Sequence, residues 1–367
     1  MRVLALSHAA VVGPYRDKFR RLARRRGWQL HLVLPHAWPE GGADVAAPAP
    51  GREGSLTVHV LPCLLRGRVG FARLAGLEGL IRDLHPDLVY AEEEPFSVMA
   101  WQARRGADAV GARLAFYTWE NQDRCYKPPL NLLRRRLLAR ADGAVAGNGA
   151  AERLLRAWGY GGPLLRQPQF GFDPAAFPPP TARPRGPFTV GYFGRLVPEK
   201  GVDVLLRAAA LAGVGLRLGG RGPQEPGLRA LAAHLGVDCQ FAGFVPFEER
   251  MRFYRGLHAL ALPSRTTPKW EEQFGRVLAE AMACGVPCVG SSSGAIPEGL
   301  GDAGLVAPEG DAPALAACLG RLRDEKGLAA RLARRGRARA LALWADAPLD
   351  TALGAFLQGV AGGSHGA

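Results

Sequence analysis

The chain has 367 residues, long for one compact core and ample for two, and 48% of them are hydrophobic, so both cores can be filled. No apolar run reaches the ~20 residues that a bilayer-spanning helix needs, and the opening apolar stretch 3–6 turns polar at Ser7-His8, too soon for a secretory leader, so a cytoplasmic protein is expected. The formal net charge is +14, carried by 42 Arg and only five Lys, which turns attention to anionic partners such as phosphates, lipid headgroups or nucleic acid.

Apolar segments alternate with amphipathic ones from the start. Residues 3–6, 30–34, 56–61, 88–91, 114–118 and 143–146 read as strands. Residues 15–26, 71–84, 96–105, 130–140 and 150–158 read as helices between them. This β-α-β alternation predicts a parallel sheet covered on both faces. The first helix crowds Arg16, Lys18, Arg20, Arg21, Arg24, Arg25 and Arg26, and the helix at 130–140 carries Arg134, Arg135, Arg136 and Arg140. Two readings of these Arg-rich helices stand: solvated faces, or a surface that docks on an anionic membrane.

Seven prolines between 167 and 187 (Pro168, Pro174, Pro178, Pro179, Pro180, Pro184 and Pro187) break the alternation and predict an interdomain linker. The pattern restarts with strands at 188–193, 215–218, 239–242, 259–262 and 287–290. Helices follow at 202–212, 227–235, 248–257, 276–283 and 312–323. The expected domains are 1–172 and 188–344, joined by 173–187, with a final helix over 345–361 packing back on the first domain and a frayed end at 362–367. Two such halves put a ligand at the carboxyl ends of their strands. The six cysteines (Cys63, Cys125, Cys239, Cys284, Cys288 and Cys318) have irregular spacing and no accompanying His pair, so free thiols and no metal site are expected.

Two stretches of the second half carry chemistry. In 191–201, Gly194 leaves a strand, and Arg195 and Lys200 stand near a helix start, where free N–H groups already favour an anion. A diphosphate suits that turn; a surface ion pair of Glu199 with Lys200 is the alternative. In 271–287, Glu272 precedes a helix and Glu280 lies on it among Val277, Leu278, Ala281 and Met282. A carboxylate in such apolar company needs a partner, either an amide or Arg within the protein or the vicinal hydroxyls of a ribose.

Arg195 and Lys200 followed by Glu272 and Glu280 resemble the signature of the retaining glycosyltransferases of family four. The Ser291-Ser292-Ser293-Gly294-Ala295-Ile296-Pro297-Glu298 stretch and Asp302-Ala303-Gly304-Leu305-Val306 continue the resemblance. It implies an α/β protein of the GT-B type, two Rossmann-like doubly wound domains facing a central cleft. It implies a nucleoside-diphosphate sugar as donor substrate, a hydroxyl acceptor that is lipid-linked or a saccharide, and neither cofactor nor metal. Arg195 and Lys200 would neutralise the leaving diphosphate, Glu272 would hold the donor sugar and Glu280 the ribose. The amides of Phe274 and Gly275 would approach sugar and phosphate at the start of the helix that continues through Arg276 and Val277. The turn holding Phe244 and Val245 would lie near the base.

The first half departs from the family pattern. The loop after its first strand has one glycine, Gly13, where two are usual. Tyr117-Thr118-Trp119-Glu120-Asn121 stands where a His is common, so Glu120 would replace that His in handling acceptor or donor sugar. Glu92-Glu93-Glu94 follows the strand at 88–91; Glu93 would bind acceptor hydroxyls, or the acids serve a helix N-terminus. His8 is a further acceptor candidate. Two other activities remain open, an epimerase-like enzyme of the same fold and a basic nucleic-acid-binding protein. The second lacks any recognisable reading module, so no nucleic-acid partner is expected.

Overall fold

A computed structural model describes residues 1–40, 43–124, 128–179 and 184–363. Cys125 and Pro180 lie outside these residues, as does most of the segment expected to fray. The chain forms two compact units: Met1–Phe170 with Asp346–Ala367, and Gly171–Ala345.

The first unit is built on an eight-stranded sheet. Arg2–Leu6 pairs in parallel with Gln29–Pro35 on one side and with Leu88–Ala91 on the other. Leu56–Leu61 continues beyond Gln29–Pro35, while Arg113–Thr118, Gly143–Ala146 and Leu164–Arg166 continue beyond Leu88–Ala91. Gly51–Glu53 closes one edge antiparallel. The parallel strands therefore run in the spatial order 3-2-1-4-5-6-7, the doubly wound arrangement in which strand direction of travel reverses beside the first strand. One face of the sheet is covered by Met99, Ala100 and Ala103 of the Val98–Val110 helix. The other is covered by Phe19, Leu22 and Ala23 of the Gly13–Arg26 helix together with Leu353, Leu357 and Val360 of the Asp346–Gly362 helix.

The first helix spends its charge inside the unit. Arg21 pairs with Asp350 at 2.5 Å and Asp346 at 2.9 Å, and Arg26 donates to the Thr351 carbonyl at 2.9 Å. Arg16 donates to the carbonyls of Ala10 and Val11, Arg20 pairs with Glu53 and Asp17, and Lys18 is buried. This helix is thus neither a plain solvated face nor a free basic surface; most of its cations hold neighbouring segments. In the second Arg-rich helix, Leu130–Leu138, Arg134 stacks over Trp158 at 4.1 Å while Arg135 and Arg136 are exposed.

The second unit is a six-stranded, wholly parallel sheet in the order Cys239–Gly243, Gly215–Gly219, Thr189–Phe193, Ala259–Leu262, Cys288–Ser291 and Gly304–Ala307. Its spatial order is 3-2-1-4-5-6, and one continuous core fills both faces. The proline-rich stretch 171–179 belongs to this unit. Phe172 and Phe177 are buried in its core, and the Phe172 N–H donates to the Trp344 carbonyl at 3.0 Å. Two apolar rings thus make an ordered tie of a segment whose prolines predict only a linker.

Elements expected as one piece differ locally. The helix expected at 71–84 begins at Leu77, because Arg73–Leu74 pairs with Cys63–Leu64 as a hairpin. A second hairpin joins Ala37–Glu40 to Ala43–Ala46. No helix among the described residues is long and apolar enough to cross a membrane. The five described cysteines are free, and no group of three or more metal-ligating side chains occurs among the described residues.

Candidate functional site

In the second unit the sheet order reverses between Thr189–Phe193 and Ala259–Leu262, and the loops leaving their carboxyl ends meet there. Gly201, at φ +64, makes the approach possible: a Cβ on it would stand 2.1 Å from the Pro263 carbonyl oxygen. Lys200, just before it, reaches Glu272 at 2.6 Å and lies over the Trp270 ring at 4.5 Å. Ser264 donates to the same carboxylate oxygen at 2.9 Å, and the Gly275 N–H donates to the other at 3.3 Å. Gly294, at φ +49, lets a third loop close on this residue, since a Cβ there would sit 2.1 Å from the Glu272 carbonyl oxygen. Glu272 is 8% exposed. The surface pair weighed for Lys200 in the sequence is replaced: Glu199 faces Arg195 instead, at 3.7 Å, and Arg195 stays largely in solvent.

Glu280 is 1% exposed and accepts from Arg276 at 2.9 Å, Arg250 at 3.2 Å and Tyr254 at 2.8 Å. Burial first, and then the adjacent carboxylate, push the Tyr254 phenol well above its usual range, so it stays a donor. The described partners of Glu280 are therefore internal. Phe274 packs edge-on against Trp344 at 5.8 Å and Val277 against the core, which leaves backbone as what these positions offer the site. Phe244, 65% exposed, follows the Cys239–Gly243 strand, and Val245 beside it is buried.

The first unit reverses its order between Arg2–Leu6 and Leu88–Ala91, and the residues after those two strands again meet. The three consecutive glutamates go to three partners. Glu92 pairs with buried Lys18 and accepts from the Gln169 amide at 3.1 Å. Glu93 accepts from the His8 backbone N–H at 2.9 Å and lies 2.8 Å from its Nδ1. Glu94 accepts from the Thr118 hydroxyl and from the Trp119 N–H, the latter at 2.9 Å. They are not first-turn acids of the next helix, which is capped by the Ser97 hydroxyl. Burial opposes charge on His8, but Glu93, Glu94 and Glu40 outweigh it and raise the imidazole above its usual value. Burial, against the bonds from Thr118 and Trp119, pushes the Glu94 carboxyl up to about 7. Glu120 is 5% exposed, accepts from the Gln122 N–H at 3.3 Å and stands 3.5 Å from Arg124. Gly13 opens the first helix with no left-handed backbone, and a Cβ there would make ordinary contact with Arg16 at 3.7 Å.

Of the candidate residues, Lys200, Glu272 and Gly275 are brought into one cluster, and Glu280 with Arg276 into another. His8 and Glu93 form a third, in the first unit. Ser264 and Trp270 complete the first cluster and Arg250 and Tyr254 the second, and these four were not singled out from the sequence, because each lies outside the recognisable motif.

Residues 187–325 match the family model described as Glycosyl transferases group 1. The fold is of the GT-B type. Sucrose-phosphate synthase from Thermosynechococcus elongatus superposes with a TM-score of 0.77 at 19% identity over 99% of this chain and 100% of that one. Anabaena HepE in complex with UDP and glucose gives 0.71 at 18% identity over 98% and 99%. A protein named D-inositol 3-phosphate glycosyltransferase from Acidothermus cellulolyticus is 34% identical over 188 residues, 46% of this chain and 41% of that protein. The chain thus aligns with less than half the length of this curated relative.

Proposed function

We propose that this protein transfers a sugar from a nucleoside-diphosphate sugar to a hydroxyl acceptor with retention at the anomeric carbon. The observation that carries the proposal is the Lys200–Glu272 pair, set at the strand-order reversal of the segment that matches the group 1 glycosyl transferases. The second unit binds the donor and the first binds the acceptor. In the reaction the C1–O bond to the diphosphate breaks, a C1–O bond to the acceptor forms, and the acceptor proton passes to the diphosphate or to water.

Lys200 and Arg195 neutralise charge on the departing diphosphate, helped by the positive end of the dipole where the Arg276–Ala283 helix begins. The reading assigns this task to protein cations rather than to a divalent metal. Glu272 orients the sugar hydroxyls, since a carboxylate has more acceptor positions than its three described donors use. Glu280 accepts a ribose hydroxyl on the oxygen that otherwise meets only Tyr254 among the described bonds. Phe244 lies against the base. Glu93, held by His8, and Glu120 receive the acceptor. The name of the Acidothermus relative suggests an acceptor with ring hydroxyls and phosphate. We assign the activity to glycolipid, cell-envelope or exopolysaccharide synthesis in the cytoplasm.

The test is thermal shift with UDP, GDP, ADP, dTDP and their sugar conjugates, with and without magnesium. UDP is the first probe, because HepE was solved with it. A ligand at a hundred times its dissociation constant stabilises by about 2.7 kcal/mol. A magnesium-independent rise with one nucleoside diphosphate is expected. No rise with any of them, or a rise only with magnesium, overturns the donor reading or its metal-free form respectively.

A further inference from the structure

Three of the exposed large apolar side chains of the first unit sit on one hairpin: Leu64, Leu65 and Phe71 are 59%, 54% and 46% exposed. The hairpin pairs Cys63–Leu64 with Arg73–Leu74, and Arg66, Arg68 and Arg73 are exposed around the same turn. Arg66 pairs with exposed Asp44 at 3.0 Å, but no acidic residue occurs between 64 and 73. Leu65 adopts φ +54, a left-handed conformation in which a branched apolar residue is strained and Gly or Asn would be easier. An apolar side chain is thus held out in water at a position that local sterics would give to another residue. Such a departure from local rules is expected where a surface has a task.

The turn is firmly based. The Phe71 and Ala72 N–H groups both donate to the Arg68 carbonyl at 2.8 Å, the Cys63 N–H donates to His36 at 3.0 Å, and the Gly70 carbonyl accepts from the Val98 N–H at 3.1 Å. Apolar tips flanked by cations of one sign fit a surface of repeated anionic headgroups above hydrocarbon. Leucine and phenylalanine enter the acyl boundary while guanidinium groups stay at phosphate level. We propose that the hairpin at 63–74 docks this protein on an anionic lipid bilayer. This surface is distinct from the first Arg-rich helix, whose cations are largely spent inside the unit, and it does not depend on the transfer chemistry.

The experiment is co-sedimentation of the full chain with vesicles of phosphatidylcholine alone and of phosphatidylcholine with phosphatidylglycerol. Binding is expected only to the second, falling as salt is added. Arg66→Gln, Arg68→Gln and Arg73→Gln together should weaken it on the order of a hundredfold, from three lost headgroup contacts. Leu64→Ser with Phe71→Ser should weaken it at every salt concentration. Unchanged melting and an unchanged thermal shift with nucleotide would show that both variants are folded. Equal binding to the two vesicles, no binding to either, or wild-type binding by both variants overturns the proposal. A dimer in solution that these same substitutions dissolve overturns it in favour of a second copy as the occupant.

Discussion

The Lys200–Glu272 contact joins two charges that are both largely out of water, so each depends on the other. Lys200→Ala and Glu272→Ala should each reduce turnover by roughly a hundredfold to a thousandfold; steady-state kinetics with the identified donor would measure it, and normal turnover in either would end the assignment. Gly294→Ala should act on the same carboxylate indirectly. Its Cβ cannot coexist with the Glu272 carbonyl, so the loop must shift, and kcat should fall while both charged side chains remain. Glu280→Ala removes the carboxylate shared by Arg250, Arg276 and Tyr254, and denaturant unfolding should register a loss of about 1.5–3 kcal/mol, the range for a hydrogen bond to a charged group. Calorimetry should find donor binding roughly tenfold to a hundredfold weaker, the range for one lost charged hydrogen bond. These acids were legible in the sequence because their spacing repeats a known signature. The pairings were not: Lys200 and Glu272 are 72 residues apart, and His8 and Glu93 are 85 apart. One signal was available, however. In so arginine-rich a chain there are five lysines, and among the described residues Lys18 and Lys200 are held by sequestered glutamates. An ammonium is a compact point charge that fits beside a carboxylate where a planar guanidinium needs more room.

At the scale of elements, the clamp between the first helix and the Asp346–Gly362 helix is the contact most open to test. Asp350 is 4% exposed and faces Arg21. Asp350→Ala should cost about 1.5–3 kcal/mol, the range for a hydrogen bond to a charged group. Hydrogen exchange should quicken within 346–362 and not within Leu328–Trp344, whose contacts belong to the other unit; equal quickening in both helices would refute the clamp. Parallel strands were readable because strands covered on both faces are continuous apolar runs, as Leu88–Ala91 and Ala259–Leu262 illustrate. The two hairpins were not readable, since strands of two to four residues leave too few positions for a period to register. Leu164–Arg166 and Gly304–Ala307 escaped because they are edge strands, mostly half-buried rather than covered on both faces. Proline density hid the ordered role of Phe172 and Phe177, because the breaker signal says where regular structure stops and nothing about what the intervening side chains bury.

For the whole molecule, two groups of the first unit make stability depend on pH in the same direction. The Glu94 carboxyl stands at about 7 against an ordinary value of 4.5, so the folded state keeps a proton that the unfolded chain releases, and stability falls as pH rises across that interval. The His8 imidazole is raised, so its pairing with Glu93 stabilises below the ordinary value of 6.5 and is lost as pH climbs through the folded one. Melting should therefore be lower at about pH 8 than at about pH 5. Glu94→Gln should flatten the difference, and a slope of the opposite sign would contradict both assignments. The parallel sheets followed from the alternation of strands and helices and their doubly wound form from the family resemblance, whereas the return of the chain to its first unit at Asp346 has no local signature beyond a helical pattern. That return has a consequence during synthesis. The face formed by Val3, Phe19, Leu22 and Leu32 is completed by Leu353, Leu357 and Val360, which the ribosome adds only after the whole of the other unit. At about 5–20 residues per second, the 175 residues from Gly171 to Ala345 take roughly 10–35 s. Throughout that interval the nascent chain carries an uncovered apolar face, and the unit made first becomes the one finished last.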